Sequence, residues 1–195
     1  MFRPRFAIVA PVAALALGGC GVNTIPTAEE TAKARWADVQ NEYQRRSDLI
    51  PNLVSTVKGY AKQEQDVLVK VTQARAAAGS VTLSADQLSD PKAVRRFSEA
   101  QGQLSSALVP FRQLQESYPD LKSNANFMAL QSQLEGTENR ITIARRDYNG
   151  AVQAYNTRIR TFPDAIGAKI FYGSKPMVPF EATTPNAQTA PTVTF

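Results

Sequence analysis

The single cysteine of this chain, Cys20, closes an N-terminal run whose residue types are those of an export and acylation signal. Arg3 and Arg5 make a positive start, Phe6 to Leu17 form an apolar stretch, and Gly18 and Gly19 put small residues before a cut. Leu17-Gly18-Gly19-Cys20 is similar to a bacterial lipobox, in which the thiol is diacylated, the leader is removed before the cysteine and the new amine is acylated. A spanning helix needs about 20 mostly apolar residues, whereas this run is shorter and interrupted by Pro11. One acyl chain holds a membrane only marginally and two or more hold it stably, so an acylated Cys20 is expected to anchor the protein. Gly21 rather than Asp follows the cysteine, which in a diderm bacterium directs the product to the outer membrane, facing the periplasm.

Carboxylates are the other candidate reactive groups. The chain has no histidine, so Ser-His-Asp and Cys-His arrangements and histidine metal sites are excluded, and neither a metal nor a cofactor is expected. Glu135 and Glu138 are an acid pair of the kind that could cleave a cell-wall glycan. Three residues apart on one helix, they fit better as ion-pair partners of Arg140, Arg145 or arginines across a bundle. The reading is therefore of a protein that is not an enzyme, with glycan binding or processing as the alternative.

Two charges, Arg46 and Glu64, fall where apolar residues are expected to face a core. Such charges are costly unless paired and can set helix register. Arg46 is expected to meet Glu135 or Glu138; lining a groove for a partner is the alternative role for these charges. The chain ends Val193-Thr194-Phe195, which could add to a partner's sheet edge with its carboxylate captured, or could drape over its own bundle.

The elements that must position these residues are helices. Thr27 and Glu30 have capping-box spacing. From Trp36 a seam with a period near 3.5 runs through Val39, Tyr43, Ile50, Leu53, Val57, Tyr60, Val67, Val71, Ala74 and Ala78. Pro51 removes the hydrogen bond to the Ser47 carbonyl, but the seam keeps phase across it, which favours a kinked helix over a break. Against one helix over residues 28–78 stands its length of about 75 Å at 1.5 Å per residue. Asp90-Pro91 is a cap with proline at the first helical position. The second seam is Val94, Phe97, Leu104, Leu108, Phe111 and Tyr118, with a kink expected at Pro110 and an end at Tyr118-Pro119. The third runs from Phe127 through Leu134, Ile141 and Tyr148 to Tyr155. Ile166, Ile170 and Phe171 follow on a short piece available to cover one end of the bundle.

The expected fold is all-α: an elongated antiparallel up-and-down bundle of three long helices plus a short one, or four if Pro51 breaks the first. The expected division is a leader over 1–19, a lipidated tether over 20–27, a bundle over 28–172 and a Pro/Thr-rich tail over 173–195, extended or disordered. Loss of Arg3 and Arg5 with the leader lowers the net charge from +5 to +3. That mild excess, without a concentrated basic face, argues against nucleic acid. The pairs at Arg45, Arg95 and Arg145 read as solvated helix faces, or as contacts to headgroups or acidic wall polymers.

Several longer stretches resemble the LemA family: Tyr43-Gln-Arg-Arg-Ser-Asp-Leu-Ile-Pro-Asn-Leu-Val54, Val57-Lys-Gly-Tyr-Ala61, Tyr118-Pro-Asp-Leu-Lys122, Gln131-Ser-Gln-Leu-Glu-Gly-Thr-Glu-Asn-Arg140 and Arg145-Arg-Asp-Tyr-Asn149. Phe162-Pro163 and the terminal Phe195 also match. The resemblance implies a membrane-attached, extracytoplasmic helical domain and no particular reaction. Many members carry a spanning N-terminal helix, and this chain departs from them in its lipobox. The sequence thus points to an envelope lipoprotein acting as a scaffold or adaptor, with an envelope protein as partner and self-association open to it.

Overall fold

Seams of period 3.5 fold here as helices because an apolar stripe on each can be buried only against another stripe. The computed structural model describes residues 23–60 and 64–181; the leader, Cys20 and Phe195 lie outside the described residues. Its long helices are α1 (Thr24–Tyr60), α2 (Gln65–Ser80), α3 (Pro91–Ser117) and α4 (Ala125–Arg158), joined in up-down-up-down order. Among the described residues there is no strand, so the class is all-α as expected.

α1 begins three residues before the expected cap, with Pro26 in its first turn, where a missing N–H costs nothing. Thr27 does not cap it: its hydroxyl donates to the Asn23 carbonyl at 2.7 Å. The helix continues through Pro51. The Ser47 carbonyl, deprived of its backbone donor, instead accepts from Arg75 Nε of α2 at 2.8 Å. The break comes ten residues later, between Tyr60 and Gln65, which corrects the expectation of one helix to residue 78. The reason is the length of the neighbour. Asn124, the cap of α4, donates to the Tyr60 hydroxyl at 2.7 Å, so α4 starts level with the end of α1 and a longer α1 would have nothing to pack on. Folding back as α2 buries Leu68 and Val71 instead, while Tyr60, expected in the seam, is 45% exposed. Asp90 and Asn124 cap α3 and α4 through their side chains, accepting from Lys92 N and Phe127 N at 2.9 Å each.

α1 packs chiefly on α4, and α2 on α3. Their apolar faces form two clusters along the rod. The near cluster, toward the start of α1, centres on Trp36, whose ring meets Phe97, Tyr148 and Phe180 at 5.3 to 5.8 Å. The far cluster joins Ile50, Leu53, Leu104, Phe111 and Phe127. Gly173, with φ of 56°, supplies the left-handed turn after Tyr172. The chain then runs back along α4 as an extended strap to Glu181, burying Met177 and Phe180 in the near cluster, so the bundle does not stop at residue 172.

Ile166, Ile170 and Phe171 do not cover the end of the bundle, contrary to expectation; they are 54%, 68% and 70% exposed. The short helix Asp164–Gly167 is tied to α1 by Thr24, whose hydroxyl donates to Asp164 at 3.1 Å. A Cβ at Gly167 would lie only 3.7 Å from Ile25, and Ala168 is buried. Small residues therefore face the core at this end, and large ones are turned outward.

Candidate functional site

Between the two apolar clusters α1 presents Arg46, 1% exposed. Its guanidinium reaches both neighbours: Nη1 donates to Ser105 Oγ at 2.7 Å and to Glu138 Oε1 at 3.0 Å, and Nη2 to the side chain and carbonyl of Gln101 at 2.6 and 3.3 Å. Four of the five donors are thereby used, in a fork that only arginine can supply. The Tyr43 ring lies under the cation at 5.1 Å. Burial pushes the Tyr43 phenol up, and the nearby positive charge of Arg145 opposes that shift. Arg46 thus pins α1, α3 and α4 at one level.

Above this level the described residues leave a groove of about 1130 Å³ between α3 and α4, with Ser98 and Gly102 on one wall and Thr142 and Arg145 on the other. The strap occupies the neighbouring stretch toward the near end. Asn156 brackets Met177, donating to its carbonyl at 2.8 Å and accepting its N–H at 2.9 Å. Asn149 does the same for Phe180, at 2.9 and 2.8 Å. The two spacings agree physically: seven residues of helix rise about 10.5 Å and three residues of extended chain span about 10 Å. Tyr148 donates to the Val178 carbonyl at 3.1 Å. Arg145, a sequence candidate to pair with Glu138, instead lies over the Phe180 ring at 4.8 Å and donates to the Glu181 carbonyl at 2.8 Å.

Of the acids singled out in the sequence, Glu138 meets Arg46, while Glu135 is exposed and accepts from Gln131 at 3.3 Å. The two do not face each other across a cleft. Arg140 pairs with Glu42 of α1 at 3.0 Å. Glu64 is not in the seam: it precedes α2 at the break and accepts from the Tyr118 hydroxyl at 3.1 Å. Sequence reasoning passed over Asn149 and Asn156, whose i, i+7 placement on one helix face was the available signal. Among the described residues no group of three His, Cys, Asp or Glu side chains could hold a metal ion. Also among them, no helix is long and apolar enough to cross a membrane. The geometry is that of a surface built to hold an extended backbone.

A family model described as the LemA family matches residues 35–195. Similar curated proteins include Magnetosome protein MamQ 2 of Paramagnetospirillum magneticum, 25% identical over 72% of this chain and 58% of that protein. Protein LemA of Metamycoplasma hominis is 24% identical over 64% of this chain and 52% of its own length. Magnetosome protein MamQ of Magnetospirillum gryphiswaldense is 24% identical over 72% and 58%. The chain therefore spans just over half the length of the curated relatives it matches.

Proposed function

This chain belongs to the LemA family, and from that premise we propose that it is an extracytoplasmic scaffold, anchored through an acylated Cys20, that holds an extended segment of another envelope protein in the groove between α3 and α4. The observation that carries the reading is the strap. Beside the groove, two asparagines already bracket a backbone at Met177 and Phe180, whose side chains are buried in the near cluster. The groove continues past the strap's last described residue along the same helix. A partner segment laid there would meet the polar side chains of Ser98, Gln101 and Thr142, with Arg95 and Arg145 beside them. Polar backbone pairing beside an elongated cleft suits a binding role, and Glu138 is taken up by Arg46 while Glu135 is exposed and bonded to Gln131.

A photocrosslinking side chain at Ser98, in the groove, and one at Ser55, exposed on α1, distinguish this reading in intact cells. Ser98 is expected to capture one defined peptide of a single envelope protein, and Cys20→Ser is expected to abolish the capture. Equal adducts from both positions would count against a groove site. Release of muropeptides by the purified protein, abolished by Glu135→Gln, would replace the scaffold with an enzyme.

A further inference from the structure

Resting on the anchored reading only for its orientation, we infer that the near end of the bundle carries a second membrane contact: Phe162, Ile166, Ile170 and Phe171 form an apolar face that seats on an anionic phospholipid surface. Phe162 is 81% exposed and the other three are between 54% and 70% exposed. The four lie within ten residues: Phe162 in the turn before the short helix Asp164–Gly167, Ile166 on that helix, and Ile170 and Phe171 on the π-helical turn that continues it. Val69, Val109, Met128 and Ile143 are also exposed, but they belong to three different helices or lie far apart along one, as surface apolar residues commonly do. A run of four large apolar side chains is different, because soluble monomers seldom leave such a face in water.

Its position indicates what covers it. Thr24 is bonded to Asp164 inside this segment, and Cys20 lies four residues before Thr24, a reach of at most about 14 Å. Whether the anchor is the acylated cysteine or an uncleaved Phe6–Leu17 run, it brings the bilayer to this end of the rod. The charges agree with an anionic surface. Arg160, Lys169 and Lys175 are exposed around the face, and residues 158–175 contain one acid, Asp164, which is turned inward and paired with Arg158 at 3.5 Å. Basic side chains flanking aromatic and aliphatic ones make the pattern of an interfacial segment. Two contacts, one covalent lipid and one apolar face, would fix the direction in which the rod stands.

The test uses protein purified from the envelope of its own cells and reconstituted into vesicles of phosphatidylglycerol and phosphatidylethanolamine with brominated acyl chains. A Phe171→Trp reporter, corrected for Trp36 emission with the unsubstituted protein, is expected to be quenched at least about twofold, as for a face seated ~5–10 Å into the headgroup boundary. Val109→Trp, toward the far end of α3, is expected to stay bright, and Ile170→Asp should relieve the quenching of Phe171→Trp. Quenching with an unmodified Cys20 by mass spectrometry would keep this inference and remove the acyl anchor. Protein that cosediments with vesicles while Phe171→Trp stays as bright as Val109→Trp would overturn the inference and leave the anchor standing. Absence of both vesicle binding and quenching overturns both. Dimerisation in detergent that Ile170→Asp abolishes would assign the face to a second copy instead.

Discussion

Arg75→Met tests why α1 survives a proline in its middle. An interior proline costs a helix about 3 kcal/mol through the lost donor and the crowding of the preceding turn. Part of that loss is an unpaired Ser47 carbonyl, which Arg75 Nε satisfies at 2.8 Å. A hydrogen bond from a charged donor contributes roughly 1.5–3 kcal/mol when buried. Arg75 is half-buried, so water can partly replace it, and the cost of Arg75→Met is set at about 1–2 kcal/mol. Methionine keeps most of the packing of the arginine stem, which isolates the donor. In a Pro51→Ala background residue 51 regains an N–H that bonds the Ser47 carbonyl, so Arg75 becomes largely redundant and its removal should cost below about 0.5 kcal/mol. Urea unfolding of the four proteins gives the cycle, with an expected coupling near 1 kcal/mol. An Arg75→Met cost that is the same with proline or alanine at position 51 would refute the account of the proline.

Two further outcomes follow from the same structure. Arg46→Met leaves Glu138 and the Gln101 side chain without their buried partner and should destabilise by about 3 kcal/mol; an Arg46→Met, Glu138→Gln cycle should show clear coupling, and strict additivity would sink the pair. Burial raises the phenols of Tyr43, Tyr148 and Tyr155 above the ordinary tyrosine value. The folded state then keeps protons that the unfolded chain releases. Stability from these groups is therefore fully present below about pH 10 and declines as pH rises beyond it, by up to ~1.4 kcal/mol per pH unit for each phenol. Urea midpoints compared at about pH 9 and about pH 11 should fall, and a constant midpoint would contradict the burial argument.

The seams, the capped helix start at Asp90 and the all-α class were legible in the chain because a 3.5-residue repeat and a cap are local properties. So was the need of Arg46 for an acid, since a lone charge on an apolar stripe has few affordable outcomes. Its other partners, Gln101 and Ser105, were not, because nothing local says which turn of α3 lies opposite. The break after Tyr60 depends on where α4 begins, and Arg75 could be matched to Ser47 only once α2 had folded back. Asn149 and Asn156 are ordinary polar residues until a strap thirty-one and twenty-one positions away is laid across them. The outward turn of Ile166, Ile170 and Phe171 likewise depends on how this segment docks on α1, where Thr24 bonds Asp164 and Ala168 is buried, not on their own pattern. Periodicity and capping thus determined which segments are helical and which stripe each must bury. The pairing of those stripes, and hence the groove and the bare apolar end, was decided by contacts between residues distant in the chain, whose energies depend on helix lengths and side-chain sizes that no local window contains.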